Sequence, residues 1–201
     1  MPDYNITDQD GQLLVSTARK IVTEFVNTGR RLTLDKDIES KLSFDAGIFV
    51  TLNSKNDLRG CIGFPLPRKI SDALPEAAIA AATEDPRFSP VNKSELDSIT
   101  FEVTILTPPE EITVDDNSKL PEKIKVGRDG LIIKQGRSSG LLLPQVPVEY
   151  GWNEQEFLSH TCQKAGLPSE CWMQKQTRVY SFEGIIFKEE KPNGQVIREE
   201  L

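Results

Sequence analysis

Hydrophobic positions recur at two spacings along the chain, and they predict helices in some segments and strands in others. Helical spacing of apolar residues, or a run rich in alanine, predicts helices over residues 13–26, 71–84 and 153–165. Gly29 is a stop signal for the first helix, and Asp85-Pro86 ends the second, because a residue before proline disfavours the helical region. Asn153 and Glu156 are spaced as a capping box for the third.

Segments rich in β-branched and aromatic residues predict strands at residues 47–52, from 58 onward, and at 98–107, 124–126, 130–133, 140–143 and 179–187. Helices and strands interleave without regular βαβ repetition, which favours an α+β fold with a largely antiparallel sheet flanked by helices. A strand, a Gly/Pro-rich exit and a helix follow one another at 58–84 and again at 140–166. The two stretches share too little sequence to establish a repeat.

Length and charge narrow the class of protein. The 201 residues suit a single domain, expected over residues 1–190, with a polar C-terminal tail at 191–201. The 24 basic and 31 acidic side chains give a net charge of −7, which argues against nucleic-acid binding because that requires a basic surface. No apolar run reaches the roughly 18 residues of a membrane span, so no membrane association is expected.

The cysteines bear on the compartment. Cys61, Cys162 and Cys171 form an odd-numbered and widely spaced set, unlike the dense, even-numbered set of a disulfide framework. The simpler interpretation is three free thiols in a reducing, cytoplasmic environment.

Cys61 is the candidate reactive group. Because side chains alternate along a strand, Arg59 and Cys61 are expected on one face, with Leu58 and Ile62 in the core. A guanidinium beside a thiol favours the thiolate and lowers the thiol pKa, as a nucleophile needs. The competing interpretation is a small, buried, inert cysteine.

Other side chains complete the candidate site. His160 and Glu149 are candidate catalytic partners of Cys61, although each also fits a surface position. Arg87 is expected to join Arg59 in holding an anionic substrate, unless it pairs with a neighbouring carboxylate, Glu84 or Asp85. Gln145 is a third candidate for substrate binding.

Several other chemistries lack their motifs. Gly136 to Gly140 matches the G-x-S-x-G nucleophile elbow, but a strand is expected to follow it, so a hairpin turn is predicted instead. With one histidine and no C-x-x-C, no metal site is predicted. With no Gly-rich phosphate loop either, we expect no cofactor.

The run Leu58-Arg59-Gly60-Cys61-Ile62-Gly63 resembles the signature of the AMMECR family. The similarity covers roughly residues 8–190 and includes 77–82, 85–90, 142–146, Glu149, Trp152, 164–167 and Trp172. It implies an α+β fold of two related strand–helix halves that share one sheet, with no settled activity. Members sometimes occur fused or adjacent to Memo-type and radical-SAM proteins, which implies candidate partners in a modification pathway.

Two functions remain open at this point. The first is an enzyme, or enzyme subunit, in which Cys61 acts on a small anionic substrate. The second is a non-catalytic binding module for a protein partner or small ligand, which uses the Arg59–Cys61 face and the loop from Pro144 to Trp152. The second predicts an exposed patch that includes Trp152 and no unusual thiol reactivity.

Overall fold

The computed structural model describes residues 6–55 and 57–199. Its elements fall into two units, one made of residues 6–106 and 185–199 and the other of residues 107–184. In chain order they are α1 (Asp8–Thr28), α2 (Lys36–Lys41), β1 (Asp45–Ser54), β2 (Asp57–Lys69), α3 (Ile70–Thr83), β3 (Ile99–Leu106), β4 (Glu110–Glu111), β5 (Asp129–Gln135), β6 (Ser138–Leu142), α4 (Gln145–Tyr150), α5 (Glu154–Lys164), β7 (Arg178–Glu189) and β8 (Val196–Glu199). Short 3-10 turns lie at Lys93–Glu95, Asn117–Lys123 and Cys171–Met173.

The first unit is built on antiparallel strands. β1 pairs with β2 on one side and with β3 on the other, and β8 pairs with the end of β7. Helices α1 and α3 share a core with these strands, in which Leu14, Leu74 and Val50 are fully buried. Helix α1 begins with a capping box between Thr7 and Asp10, which satisfies backbone N–H groups that the first helical turn leaves free.

The second unit has its own core and its own antiparallel strands. β5 pairs with β6 and with the first part of β7, while β4 pairs with β7. Helix α5 starts at the predicted Asn153–Glu156 capping box and packs against β5 and β6. Leu131, Phe157 and Leu158 are fully buried there.

Each unit contains a strand glycine that touches the backbone near the end of a helix. A Cβ on Gly60 of β2 would lie 2.1 Å from the carbonyl oxygen of Ala81 in α3. A Cβ on Gly140 of β6 would lie 2.4 Å from the backbone nitrogen of Ala165, which follows α5. Only glycine permits approaches this close. The strand–helix similarity between 58–84 and 140–166 is therefore also a similarity of packing.

The predicted fold class is confirmed: helices flank an antiparallel sheet. The G-x-S-x-G match is a hairpin turn, since β5 and β6 pair up to Gln135 and Ser138 on either side of it. The prediction of a strand at 124–126 was wrong. Those residues form a loop and turn in which the carboxylate of Asp129 accepts the N–H of Lys125 at 2.8 Å. Within the polar tail, Val196–Glu199 form strand β8.

The prediction of three free cysteines was also wrong. Cys162, near the end of α5, forms a disulfide with Cys171, which begins a 3-10 turn. The intervening turn brings their Cα atoms to 5.9 Å, within the range that a disulfide spans. Cys61 is thus the free cysteine of the described residues.

Candidate functional site

Strand β2 holds Cys61 at a half-buried position opposite Thr51 of β1. The Thr51 hydroxyl donates a hydrogen bond to Cys61 Sγ over 3.3 Å. The register of β1 and β2 shifts between Leu52 and Asn53, and this irregularity falls at Arg59. Simple alternation therefore fails just before Cys61. Leu58, expected in the core, is 40% exposed, although Ile62 packs against the core as predicted.

A buried carboxylate ties Cys61 to Arg87. Asp85 follows α3, is 4% exposed, and accepts the backbone N–H of Cys61 at 2.9 Å. Its two oxygens also accept Arg87 Nε at 2.9 Å and Arg87 Nη2 at 2.7 Å. These bonds from Arg87, more than any other contact, hold the pKa of Asp85 well below its usual range. Arg87 thus forms one of the ion pairs anticipated from the sequence.

Arg87 nevertheless keeps an open side. Its side chain is 54% exposed, and Nη2 lies 3.5 Å from the carbonyl oxygen of Cys61. A bidentate pair uses one edge of the planar guanidinium and leaves its outer donors available. The structure therefore places a fixed, solvent-facing positive charge beside Cys61.

Arg59 is engaged elsewhere. Its Nε donates to Glu95 at 2.7 Å and its Nη2 donates to the same carboxylate at 3.2 Å. Burial raises the pKa of the Cys61 thiol, and the charges of Glu102 and Asp85 add to this, while the Thr51 hydrogen bond and the charge of Arg87 oppose it. The lowered thiol pKa expected from Arg59 was therefore wrong, because burial dominates and the nearby cation is Arg87.

Glu102 was not identified from the sequence. It lies on β3 directly opposite Thr51, between the fully buried Phe101 and Val103. Burial raises the pKa of its carboxyl, as does Glu199 nearby. Its alternation with apolar residues along the strand indicates only a solvent-facing side. The register that aligns Glu102 with Thr51 was not available from the sequence.

His160, a candidate catalytic partner of Cys61, lies in the second unit and is part of a stack of aromatic rings. His160, on α5, stacks on Trp152 with ring centroids 3.8 Å apart, and Trp152 stacks on Tyr150 at 5.0 Å. His160 Nδ1 lies 3.0 Å from the side-chain oxygen of Gln163. The histidine is partly buried and lies outside the buried stripe of α5, which is formed by Phe157, Leu158, Thr161 and Cys162.

The predicted residues are thus divided between the two units. Gln145 and Glu149 are exposed residues of α4 in the second unit, which also contains His160. Cys61 and Arg87 belong to the first unit, where Asp85 holds them together. A Cys61–His160 dyad stays a prediction.

The described residues contain no group of three or more His, Cys, Asp or Glu side chains placed to hold a metal ion. No helix among them is both long and apolar enough to cross a membrane.

Comparisons with known proteins agree with the signature of β2. The family model AMMECR1 matches residues 15–187. A protein of Thermococcus onnurineus is 52% identical over 98% of this chain and 99% of its own, and one of Pyrococcus furiosus is 51% identical over 98% and 97%. The crystal structure of an uncharacterized protein from Pyrococcus horikoshii is 50% identical and superposes with a TM-score of 0.83, covering 95% of this chain and 97% of that one. None of these names states an activity. The chain belongs to the AMMECR1 family.

Proposed function

We propose that this protein is a cysteine-dependent enzyme, or a subunit of one, in which Cys61 reacts with a small anionic substrate. The observation that supports this is the double role of Asp85, which accepts both the Cys61 backbone N–H and the Arg87 guanidinium. This carboxylate fixes a half-exposed cation next to a free thiol. We expect an anion that pairs with Arg87 to come within reach of Cys61 Sγ, because Arg87 Nη2 lies 3.5 Å from the Cys61 carbonyl oxygen.

Burial has a chemical consequence for this site. Because the thiol pKa is raised, Cys61 is protonated at neutral pH and needs a base before it can act as a nucleophile. A substrate anion that neutralises Arg87 also removes one of the groups that favour the thiolate. Substrate binding therefore makes a base for the thiol proton more necessary. His160 and Glu149 remain the candidates named from the sequence, and Arg59 and Gln145 remain candidate substrate contacts.

Alkylation by two reagents of opposite character tests the anion-binding role. The rate ratio of iodoacetate, an anion, to iodoacetamide, which is neutral, is measured at Cys61 by mass spectrometry. We expect a ratio above that of an unstructured peptide thiol, and a fall on the order of fivefold in Arg87→Gln, since one nearby charge is worth about 1 kcal/mol in water. Arg87→Lys should keep most of the ratio.

Arg128 provides a matched control. Like Arg87, it is about half exposed and is held by a buried aspartate, Asp129, at 2.6 and 2.9 Å. Arg128→Gln should leave the ratio at Cys61 unchanged. If Cys61 is protected from both reagents until the protein unfolds, the proposal is wrong. The same assay on His160→Asn and Glu149→Gln tests the candidate bases. If either residue acts as the base for Cys61, its substitution should lower the iodoacetamide rate at neutral pH.

A binding module is the alternative, and exposed aromatic surface favours it. Tyr150 is 68% exposed and Val148 58%, next to the Trp152–His160 stack. Exposed apolar side chains that cluster in this way are typical of protein contacts. The resemblance suggests Memo-type and radical-SAM proteins as partners in a modification pathway, with all of them in the cytoplasm.

Calorimetric titration with purified Memo-type and radical-SAM proteins from the same organism tests this alternative. Tyr150→Ala should weaken binding at least tenfold if the stack is the contact. Met173→Ala is the matched control, since Met173 is another exposed apolar side chain of the same unit, at 46%. Absence of binding to either protein would reject these partners.

A further inference from the structure

Three polar side chains form a row across the first unit's strands. Cys61 of β2 is opposite Thr51 of β1, and Thr51 is opposite Glu102 of β3. The flanking residues Val50 and Leu52 are fully buried, so Thr51 points away from the core. Neighbouring strands lie about 4.8 Å apart, so Thr51, which donates to Cys61 Sγ, has Glu102 as its neighbour on the other side.

Glu102 has no structural partner to explain it. Among the described residues, no hydrogen bond or ion pair to its carboxylate is found. Burial raises the pKa of the Glu102 carboxyl, and the negative charge of Glu199 in β8 raises it further. The positive charge of Lys188 in β7 lowers it. Lys188 is itself paired with Glu199. A half-buried carboxylate without a hydrogen-bond partner has both oxygens available to accept a proton, and its raised pKa favours that role.

The charges of Glu102 and Cys61 oppose each other. A negative charge on Glu102 raises the pKa of the Cys61 thiol, as does Asp85, whereas Arg87 and the Thr51 hydroxyl favour the thiolate. Two groups that each disfavour ionisation of the other hold one negative charge between them more readily than two. Moving a proton from sulfur to carboxylate keeps that single charge and avoids adding another to a half-buried face.

We propose that Glu102 is the proton acceptor of Cys61, through the hydroxyl of Thr51. In this step the Thr51 hydroxyl, which donates to Cys61 Sγ in the structure, turns to the Glu102 carboxylate. The thiol proton then passes to Thr51 Oγ1 while the hydroxyl proton passes to that carboxylate. The products are a thiolate, an unchanged hydroxyl and a neutral carboxyl, so atoms and charge balance and no other reactant is needed. This role rests on the proposed thiol chemistry, and it gives Cys61 a base within its own unit.

A shared proton has a distinctive pH dependence. Once Glu102 has ionised, the fraction of molecules with the charge on sulfur is set by the internal equilibrium and does not change with pH. The thiolate fraction rises again only when the second proton leaves. The logarithm of the alkylation rate should therefore rise, level off and rise again. A lone thiol gives a single rise.

The test is the pH profile of Cys61 alkylation by iodoacetamide in the wild type and three variants. Glu102→Gln should show one rise, with its midpoint below the wild type's upper one. Glu199→Gln should keep both rises and move the lower one to lower pH, because a neighbour that raises the Glu102 pKa is gone. Thr51→Val should move the upper rise to higher pH. Thermal unfolding shows whether each variant is folded.

A second measurement does not depend on access of a reagent. The carbon-13 shift of the Glu102 side-chain carboxyl should titrate in two steps in the wild type and in one step in Cys61→Ser. The role of Glu102 as proton acceptor is wrong if the wild-type alkylation profile has a single rise, or if the Glu102 titration is the same in Cys61→Ser as in the wild type. Either result leaves the anion-binding proposal intact. If Cys61 is protected from reagents but the Glu102 titration still changes in Cys61→Ser, the proposed enzymatic function is wrong and the shared proton between Cys61 and Glu102 is supported.

Discussion

Reduction of the Cys162–Cys171 disulfide should lower the free energy of unfolding of the second unit by about 2.6 kcal/mol. The bond spans a sequence separation of 9 residues. For a loop of this length the chain-entropy relation gives about 8.6 cal/mol/K, or ~2.6 kcal/mol at 25 °C, through the extra freedom of the unfolded chain. Both cysteines are fully buried within that unit's core, so little change of the folded state is expected. For a chain of this size the fall in Tm is roughly 5–10 °C.

Tryptophan fluorescence during urea unfolding suits this measurement, because both tryptophans, Trp152 and Trp172, lie in the second unit. The protein is unfolded with excess dithiothreitol, refolded in its presence, and compared with the oxidised form. Thiol titration of the unfolded samples should count three thiols in one and one in the other. The comparison in a Cys61→Ala background is the control and should give the same difference. A loss below about 0.5 kcal/mol with three thiols present would refute the loop-entropy reasoning.

Three further predictions concern stability in the first unit. Gly60→Ala should destabilise the protein by roughly 3 kcal/mol or more, since its Cβ would lie 2.1 Å from a backbone oxygen of α3; Gly29→Ala, at a positive φ with open space around it, should cost only about 1–2 kcal/mol in the same urea titration. Asp85→Asn should cost about 2–3 kcal/mol at pH 7. Because the folded pKa of Asp85 is depressed, its stabilisation is present above the unfolded pKa near ~3.9, and the gap between variant and wild type should close as the pH falls below that value. Glu102→Gln should do the opposite. The raised folded pKa disfavours the ionised carboxylate, so the variant should melt at a higher temperature than the wild type at pH 7, and this advantage should disappear below about pH 4. An Asp85→Asn gap that is constant with pH, or an equal Tm for Glu102→Gln at pH 7, would contradict the assigned electrostatics.

Local patterns predicted most of the fold because they act over a few residues. The capping pair Asn153–Glu156 and the stop at Gly29 are short-range signals, and both are present in the structure. The strand expected at 124–126 failed for a reason the pattern does not contain. A side chain, Asp129, takes the Lys125 N–H that a ladder would have used. Sequence spacing alone also does not reveal which cysteines pair.

The sequence named Cys61 and Arg87 as neighbours in the candidate site, but it named neither Thr51 nor Glu102 and did not give the geometry. Arg87 was expected near Cys61, but the sequence placed Asp85 only as a helix end and a competing partner. In the structure the Asp85 carboxylate accepts hydrogen bonds from the Cys61 backbone N–H and from Arg87, so it holds the two residues together. Glu102 and Thr51 join Cys61 only through strand register, which depends on pairing between distant segments. Arg59 lies at the irregularity in β2 and pairs with Glu95, a contact that the spacing of residues along the strand does not contain.

The signature strand separates into parts that the fold explains and one that it does not. Arg59 pairs with Glu95, Gly60 makes room for α3, and the backbone N–H of Cys61 is held by Asp85. Each of these contacts stabilises the first unit whatever residue follows Gly60, since a backbone N–H is common to all residues except proline. The sulfur adds one hydrogen bond from Thr51 and is otherwise disfavoured as an anion by burial. The choice of cysteine is therefore the feature that these contacts leave unexplained, and it is the feature that the proposed thiol chemistry uses.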